Sequence, residues 1–134
     1  MLVIAPNCFQ RNFFISKGAY GVITSAPLNR VVYEGATNTK ITCASNDASV
    51  DWILYPFAFT AVSDMVFPTT KGELNPSFKE SFAIDHSQGT EVYTLIVSNA
   101  TISPSDRADF STAGIYSCGK PGRVCYAHLV VIRE

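Results

Sequence analysis

Cysteines and histidines are the side chains of this sequence to consider first for covalent bridges, metal ligation or base catalysis, because its acidic residues are scattered. There are four cysteines and two histidines, namely Cys8, Cys43, Cys118, Cys125, His86 and His128. A zinc site needs closely spaced ligands, and no Cys-x-x-Cys pair occurs. A Ser–His–Asp triad needs partners that converge on a histidine, whereas one histidine adjoins a polar turn and the other lies in a closing strand. We therefore expect no catalytic residue, no metal and no cofactor. An even number of cysteines in a small domain instead favours disulfides and an oxidising compartment.

The composition indicates a folded domain without a surface for polyanions. The chain has 134 residues, the size of one domain, with 47% hydrophobic and 16% charged residues. Its net charge of −1 offers no basic excess, so neither nucleic acid nor a membrane surface is an expected partner. The apolar start Met1–Ala5 is interrupted at Pro6, and no run approaches the roughly 20 apolar residues of a membrane helix. We expect this N-terminus to belong to the mature domain and any membrane anchor to lie beyond Glu134.

Short apolar stretches, rich in β-branched and aromatic residues and separated by turn residues, predict an all-β fold. Strands are expected around residues 31–33, 39–43, 50–55, 78–84, 93–97, 115–118 and 127–132. Alternation places Ile41 and Cys43 on one face of their strand, and it places Tyr116 and Cys118 on one face of another. Residues 1–26 are too apolar for a loose tail, so we expect an N-terminal extension packed on a domain of residues 27–134.

The spacing around two of the cysteines resembles that of one family. Trp52 follows Cys43 by nine residues, and Gly114-Ile115-Tyr116-Ser117-Cys118 places a tyrosine two residues before the second cysteine. In these features residues 27–134 resemble the immunoglobulin superfamily, and the V set in particular, because the stretch from 52 to 93 has room for the extra V-set strands.

The resemblance implies a β-sandwich of two antiparallel sheets with Greek-key connections. It also implies a Cys43–Cys118 bridge between the sheets, with Trp52 packed against the bridge. The hydroxyl of Tyr116 would then bind nearby backbone, and Leu95 would lie in the family's E strand facing the core.

Two departures distinguish the chain from the family pattern. Thr112 stands where the family motif Asp-x-Gly-x-Tyr-x-Cys has its aspartate, so this motif does not predict the family's Arg–Asp ion pair. The closing strand also lacks the Phe-Gly-x-Gly motif of antibody and T-cell-receptor J segments. The chain is therefore similar to V-type receptor domains whose genes do not rearrange.

Cys8 and Cys125 remain after the core bridge is assigned. In a V-type domain the first strand runs beside the last, so the resemblance favours a second bridge, Cys8–Cys125, that fixes the extension. Two free thiols or an intermolecular bridge are the alternatives. Exposed free thiols are a liability outside the cell, which favours the bridge.

Three groups of residues are candidates for contact with a ligand. The first is the aromatic run at Tyr55, Phe57 and Phe59, because exposed aromatic patches often mark protein contacts; the alternative is that some of these rings cap the core. The second is the segment 119–124, which corresponds to the third hypervariable loop and carries Lys120 and Arg123; the alternative is a solvated turn. The third is Tyr126 in the closing strand.

The sequon Asn99-Ala100-Thr101 predicts a glycan on Asn99, which we expect at the end of a strand. Its neighbours Ser98 and Ala100 are not expected to be deeply buried. Together with paired cysteines it favours an extracellular protein, either at the cell surface or secreted. The resemblance implies the recognition domain of an immune or adhesion receptor. Such a domain would bind a protein, or a second copy of itself as a homodimer, through the G-F-C-C′ face. The alternative is a secreted immunoglobulin-like effector that binds a non-self ligand such as a carbohydrate.

Overall fold

The computed structural model describes residues 8–10, 23–45, 50–57, 65–85, 92–102, 110–120 and 123–133. For Cys8–Gln10, Thr24, Ser25 and Arg123 only the backbone is described. The strands in this part are β1 (Cys8–Gln10), β2 (Ile23–Ser25), β3 (Arg30–Tyr33), β4 (Thr37–Ser45), β5 (Asp51–Pro56), β6 (Thr69–Thr70), β7 (Glu73–Leu74), β8 (Phe82–Asp85), β9 (Val92–Asn99), β10 (Gly114–Lys120) and β11 (Arg123–Ile132). No α-helix occurs among these residues, so the fold is all-β as predicted.

Two main sheets contain most of these strands. Sheet I has the order β1-β11-β10-β5, and β3 also pairs with β11. Sheet II has the order β2-β4-β9-β8, while β6 and β7 form a separate hairpin. The expectation of two antiparallel sheets holds except at β3, which runs parallel to the last third of β11. The same strand β11 pairs with β1 over its first residues, so its outer edge is shared between two segments.

The two described strands of the N-terminal range belong to different sheets. Strand β2 falls within the range assigned to the extension, yet it pairs with the end of β4 in sheet II. Strand β1 pairs with β11 in sheet I. Residues 1–7 and 11–22 lie outside the described part, so the packing of the rest of the extension stays a prediction.

One hydrophobic core joins the two sheets, and alternation along the strands fills it. In β4 the buried residues are every second one, as in β5 and β11, because successive side chains point to opposite faces. The fully buried large side chains include Trp52, Leu54, Phe82, Leu95 and Tyr116. Both sheets contribute to a single cluster, which is the arrangement of a β-sandwich.

A disulfide between Cys43 of β4 and Cys118 of β10 links the sheets across this core. Trp52 is 1% exposed and stands directly opposite Cys118 in the β5–β10 register. Because the bridge closes a loop of 75 residues, the chain-entropy estimate of its stabilisation is about 4 kcal/mol.

A buried tyrosine fixes the entry to β10. The hydroxyl of Tyr116 donates a hydrogen bond of 2.7 Å to the carbonyl oxygen of Thr112, four residues upstream. Thr112 is itself buried, and its hydroxyl accepts a 2.8 Å bond from the backbone N–H of Thr101. At the position of the family's aspartate, this threonine therefore ties the start of β10 to the segment after β9 by neutral hydrogen bonds.

Gly114 begins β10 at a point where the backbone of β5 comes very close. A Cβ on this residue would overlap the carbonyl oxygen of Tyr55 and lie 2.8 Å from the Cα of Pro56. Only glycine fits this approach without displacing β5. The glycine of the Gly-x-Tyr-x-Cys motif is thus explained by strand packing.

The predicted strand over residues 78–84 begins later than expected. Residues Pro76–Phe78 form a 3-10 turn, and the strand starts only at Phe82. Proline at the start of the turn fixes φ, and the N–H of Ser81 then bonds to the carbonyl oxygen of Phe78 at 2.9 Å. The ring of Phe78 still reaches the core, where it packs edge-on against Phe82 and Phe110.

Asp51 holds the small β6–β7 hairpin against β5. Its carboxylate accepts bonds from the Thr69 hydroxyl at 3.1 Å and from the N–H groups of Lys71 and Gly72 at 3.2 and 2.8 Å. Lys71 and Gly72 have φ values of 53° and 79°, the positive pair that a two-residue type I′ turn requires. One carboxylate therefore fixes both the turn and its position beside sheet I.

Candidate functional site

The outer face of sheet I is apolar over most of its width. Outward-facing residues alternate with buried ones along β5 and β11, and Val31 and Tyr33 of β3 continue the outward rows. In β10 only Ile115 of this parity is partly exposed, because Ser117, between Ile53 and Tyr126, is buried. We call the following nine outward residues the apolar face: Ile53, Tyr55, Ile115, Tyr126, His128, Val130, Ile132, Val31 and Tyr33. Four of them are exposed large hydrophobics, with exposures of 65% for Val31, 54% for Tyr33, 36% for Val130 and 40% for Ile132.

Strand register makes these side chains contiguous. Ile115 of β10 stands between Tyr55 of β5 and His128 of β11. Along the parallel β3–β11 pair, Val31 stands beside Val130 and Tyr33 beside Ile132. Neighbouring strands lie about 4.8 Å apart, so side chains at these positions form one surface and not isolated exposed groups.

Phe57 lies at the edge of this surface, directly after β5. Its side chain is 56% exposed, and its ring centroid lies 6.3 Å from that of His128. The neighbouring Pro56 is buried, so proline caps the core here while Phe57 points to solvent. The Phe57 ring therefore does not cap the core, whereas the alternative that some of the three rings do so stays open for Phe59, which lies outside the described residues.

Tyr55 and Tyr126 extend the aromatic character across the sheet. Both are partly buried, and burial raises the pKa of Tyr126, with the nearby Tyr55 adding a smaller effect in the same direction. A phenol with a raised pKa stays neutral at physiological pH. This part of the face therefore offers aromatic surface and the neutral hydroxyl of Tyr126 to a partner.

The outer face of sheet II differs in character. Its centre carries an ion pair of 3.6 Å between Lys40 and Asp85. Beside it, the hydroxyl of the exposed Thr42 forms a 3.0 Å hydrogen bond with that of Thr94, which is itself buried. Ile96 is partly buried beside them. Among the described residues, none of the exposed large hydrophobic side chains belongs to a strand of sheet II.

The remaining residues considered for ligand contact or chemistry lie in other parts of the molecule or outside its described part. Lys120 and Arg123 lie opposite each other at the tip of the β10–β11 hairpin, so most of the predicted loop 119–124 is paired strand. The side chain of Lys120 is exposed. Phe59 and His86 lie outside the described residues. A contact role for any of these residues stays a prediction.

Several residues of the apolar face were not singled out from the sequence. They are Ile53, Ile115, Val31, Tyr33, Val130 and Ile132. Phe67 is outside the face as defined but was also not singled out; it is 45% exposed beside the bridge from Val66 to Leu54. The signal was present in 31–33 and 130–132, where apolar residues occupy consecutive positions. A strand with one face in water alternates, so three apolar residues in a row indicate a second apolar face.

The N-terminal cysteine lies where the second predicted bridge requires it. Cys8 is the direct partner of Cys125 in the antiparallel β1–β11 register. Cys125 is buried and disulfide-bonded, and no described cysteine is free. These observations support the Cys8–Cys125 bridge, which stays a prediction because only the backbone of Cys8 is described.

The sequon residue Asn99 is the last residue of β9, and its side chain is exposed. The expectation about its neighbours is half wrong, because Ala100 is fully buried while Ser98 is partly buried. Ala100 is pinned by backbone hydrogen bonds to Ala36 and Gly35. Exposure of Asn99 itself leaves the predicted glycan compatible with the folded domain.

The described residues contain no cluster of three or more acidic, histidine or cysteine side chains that fits a metal ion. In the same part of the chain, no helix is long and apolar enough to span a membrane. No protein-family model and no curated protein sequence matches the chain.

Proposed function

We propose that this chain is an extracellular V-type immunoglobulin domain that recognises a protein through the apolar face. The observation that carries the proposal is the difference between the two outer faces of the sandwich. The face of sheet II carries the Lys40–Asp85 ion pair and, among the described residues, no exposed large hydrophobic side chain, whereas that of sheet I presents Tyr55, Tyr126, His128 and a stripe of exposed aliphatic side chains. Contiguous exposed apolar surface is characteristic of protein-binding sites.

Three features support the V-type assignment. Strand β2 pairs with β4 in sheet II, and the next strand, β3, pairs in parallel with β11 in sheet I. The first part of the domain thus contributes to both sheets. The inter-sheet disulfide with Trp52 beside it, and the bond from Tyr116 to Thr112, match the family's core and its tyrosine corner.

The chemistry of the face favours a protein partner over a sugar. Aromatic and Met or Arg side chains are enriched in the centres of protein interfaces, and fully buried aromatic anchors contribute most of the binding energy. Tyr55 and Tyr126, within the face, are placed to act as such anchors, and Phe57 at its edge would extend the contact. The bridged, oxidised core is consistent with an extracellular location.

The test uses tetramers of the domain applied in parallel to displayed extracellular proteins and to a glycan array. We expect binding to a protein, abolished by Phe57→Asp because the charge would be buried without a partner. Leu28→Asp is the matched control, since Leu28 is 76% exposed and precedes β3 outside the apolar face. Binding to glycans alone, or equal loss with both variants, would contradict the proposal.

A further inference from the structure

We propose that two copies of this chain associate edge to edge through β3, so that sheet I continues from one copy into the other. The proposal concerns the open edge of the sheet, and it uses the part of the apolar face that β3 and the end of β11 form. It starts from the position of β3. In the described part of the chain, this strand pairs with β11 on one side, and no strand pairs with its other side.

The backbone groups at that open side belong to Val31 and Tyr33. The N–H of Glu34 donates to the carbonyl oxygen of Ile132 at 2.8 Å, so Glu34 turns its N–H toward β11. Parallel pairing uses the groups of alternate residues, so Val32 also faces β11 while Val31 and Tyr33 direct theirs outward. The Tyr33 carbonyl oxygen already accepts a 3.0 Å bond from the N–H of Ala36, which leaves its second lone pair.

The sequence of β3 is complementary to itself when two copies run antiparallel. It begins with Arg30 and is followed by Glu34. A two-fold axis at Val32 places Arg30 of each copy opposite Glu34 of the other, and Val31 opposite Tyr33. Opposite charges directly across an antiparallel pair stabilise it, whereas like charges destabilise it. Residues 31 and 33 would then form the hydrogen-bonded pairs, with their outward groups facing each other.

Both charged side chains already have partners within the chain, and each can bind further. One guanidinium nitrogen of Arg30 donates to the Lys40 carbonyl oxygen at 2.9 Å, and four of its five N–H donors remain. Glu34 accepts a bond of 3.1 Å from Arg133, and a carboxylate has two oxygens. Pairing between copies would therefore produce an Arg–Glu–Arg cluster at each end of the junction.

The apolar side chains beside this edge would also be brought together. Val31 and Tyr33 are 65% and 54% exposed, and Val130 and Ile132 flank them in register. Across the two-fold axis Val31 would lie opposite Tyr33 of the second copy, and Val130 and Ile132 would extend the apolar stripe by one strand on each side. A second copy is thus a partner that matches the edge in backbone geometry, charge and apolar surface.

The test compares charge reversals by sedimentation velocity over a range of protein concentrations. Wild type is expected to form dimers at high concentration. Arg30→Glu and Glu34→Arg should each weaken self-association about tenfold or more, because each puts two like-charged pairs across the junction. An equimolar mixture of the two variants should restore a dimer, since every cross-pair is then opposite in charge. Lys79→Glu, at an exposed turn residue, is the control.

A backbone variant provides a second measurement. Val31→Pro removes an N–H that faces away from β11, so the fold is expected to persist while association is lost. Phe57→Asp should leave this dimer intact, which separates it from binding at the apolar face. Wild type that stays monomeric at about 1 mM, or a dimer lost in Phe57→Asp but kept in both charge reversals, would overturn the proposal.

Discussion

Replacing Tyr116 with phenylalanine removes a single oxygen from the best-defined polar contact of the core. The Tyr116 side chain is fully buried, and its hydroxyl bonds to the Thr112 carbonyl oxygen at 2.7 Å. The variant loses this bond and leaves the carbonyl without that donor. A net hydrogen bond contributes about 1 kcal/mol and an unsatisfied buried acceptor costs about 1–3 kcal/mol, so we expect destabilisation of about 2 kcal/mol at pH 7.

The same hydroxyl makes the effect depend on pH in a defined direction. Burial raises the pKa of Tyr116 well above its ordinary value of 10.0. The contribution of this hydroxyl to the free energy of unfolding is therefore fully present below pH 10. It is lost as the pH rises toward the folded-state pKa, because the phenol ionises readily only in the unfolded chain. Wild type should lose about 1.4 kcal/mol per pH unit above roughly pH 10 from this group alone. The phenylalanine variant lacks that loss, so the difference between the two stabilities should shrink as the pH rises above 10.

Urea unfolding monitored by fluorescence measures both effects, because the chain contains one tryptophan and Trp52 is 1% exposed in the core. Tyr33→Phe serves as the control, since the Tyr33 side chain is 54% exposed. Equal stability of Tyr116→Phe and wild type at pH 7 would refute the role given to this hydroxyl. A difference that stays constant between pH 8 and pH 11 would refute the explanation by burial.

Three further outcomes are expected. Asp51→Ala should reduce the free energy of unfolding by about 1–2 kcal/mol because the three donors that Asp51 anchors lose a charged acceptor. Asp51→Asn should reduce it by less. Urea unfolding measures both, and unchanged stability would contradict the anchoring role of Asp51. Thiol titration of the native protein should find no reactive cysteine, and peptide mapping should recover Cys8 linked to Cys125; two reactive thiols or a disulfide-linked dimer would exclude that bridge. Asn99 should carry glycan after expression in a secretory host; a mass unchanged by glycosidase would reject this.

The core could be predicted from the sequence because its signals are local and periodic. Cys43, Trp52 and Cys118 stand at spacings that place them on inward faces, and the structure buries all three together. Gly114 was identified as part of a motif, but its reason is a long-range contact with β5. Such a contact is visible only once the register of two distant strands is known.

The candidate site was predicted less completely for a physical reason. Phe57 and Tyr55 form a local aromatic run, which draws notice in a sequence. Val31 and Val130 lie 99 residues apart in the chain and become neighbours only through the parallel β3–β11 pairing. The predicted strand over 78–84 was shortened because Pro76 starts a 3-10 turn that alternation alone does not reveal.

The account depends most on the apolar face being the surface that meets a partner, and masking each face with a glycan tests this directly. His128→Asn with Val130→Thr creates a sequon in the middle of the apolar face, where both side chains are exposed. Lys40→Asn creates one on the outer face of sheet II, because Thr42 already stands two residues later. After mass spectrometry has verified that each new site is occupied, binding of the tetramers to displayed extracellular proteins is measured. We predict that the glycan on sheet I abolishes binding and that the glycan on sheet II leaves it unchanged. Binding that survives the first and is lost with the second would contradict the account.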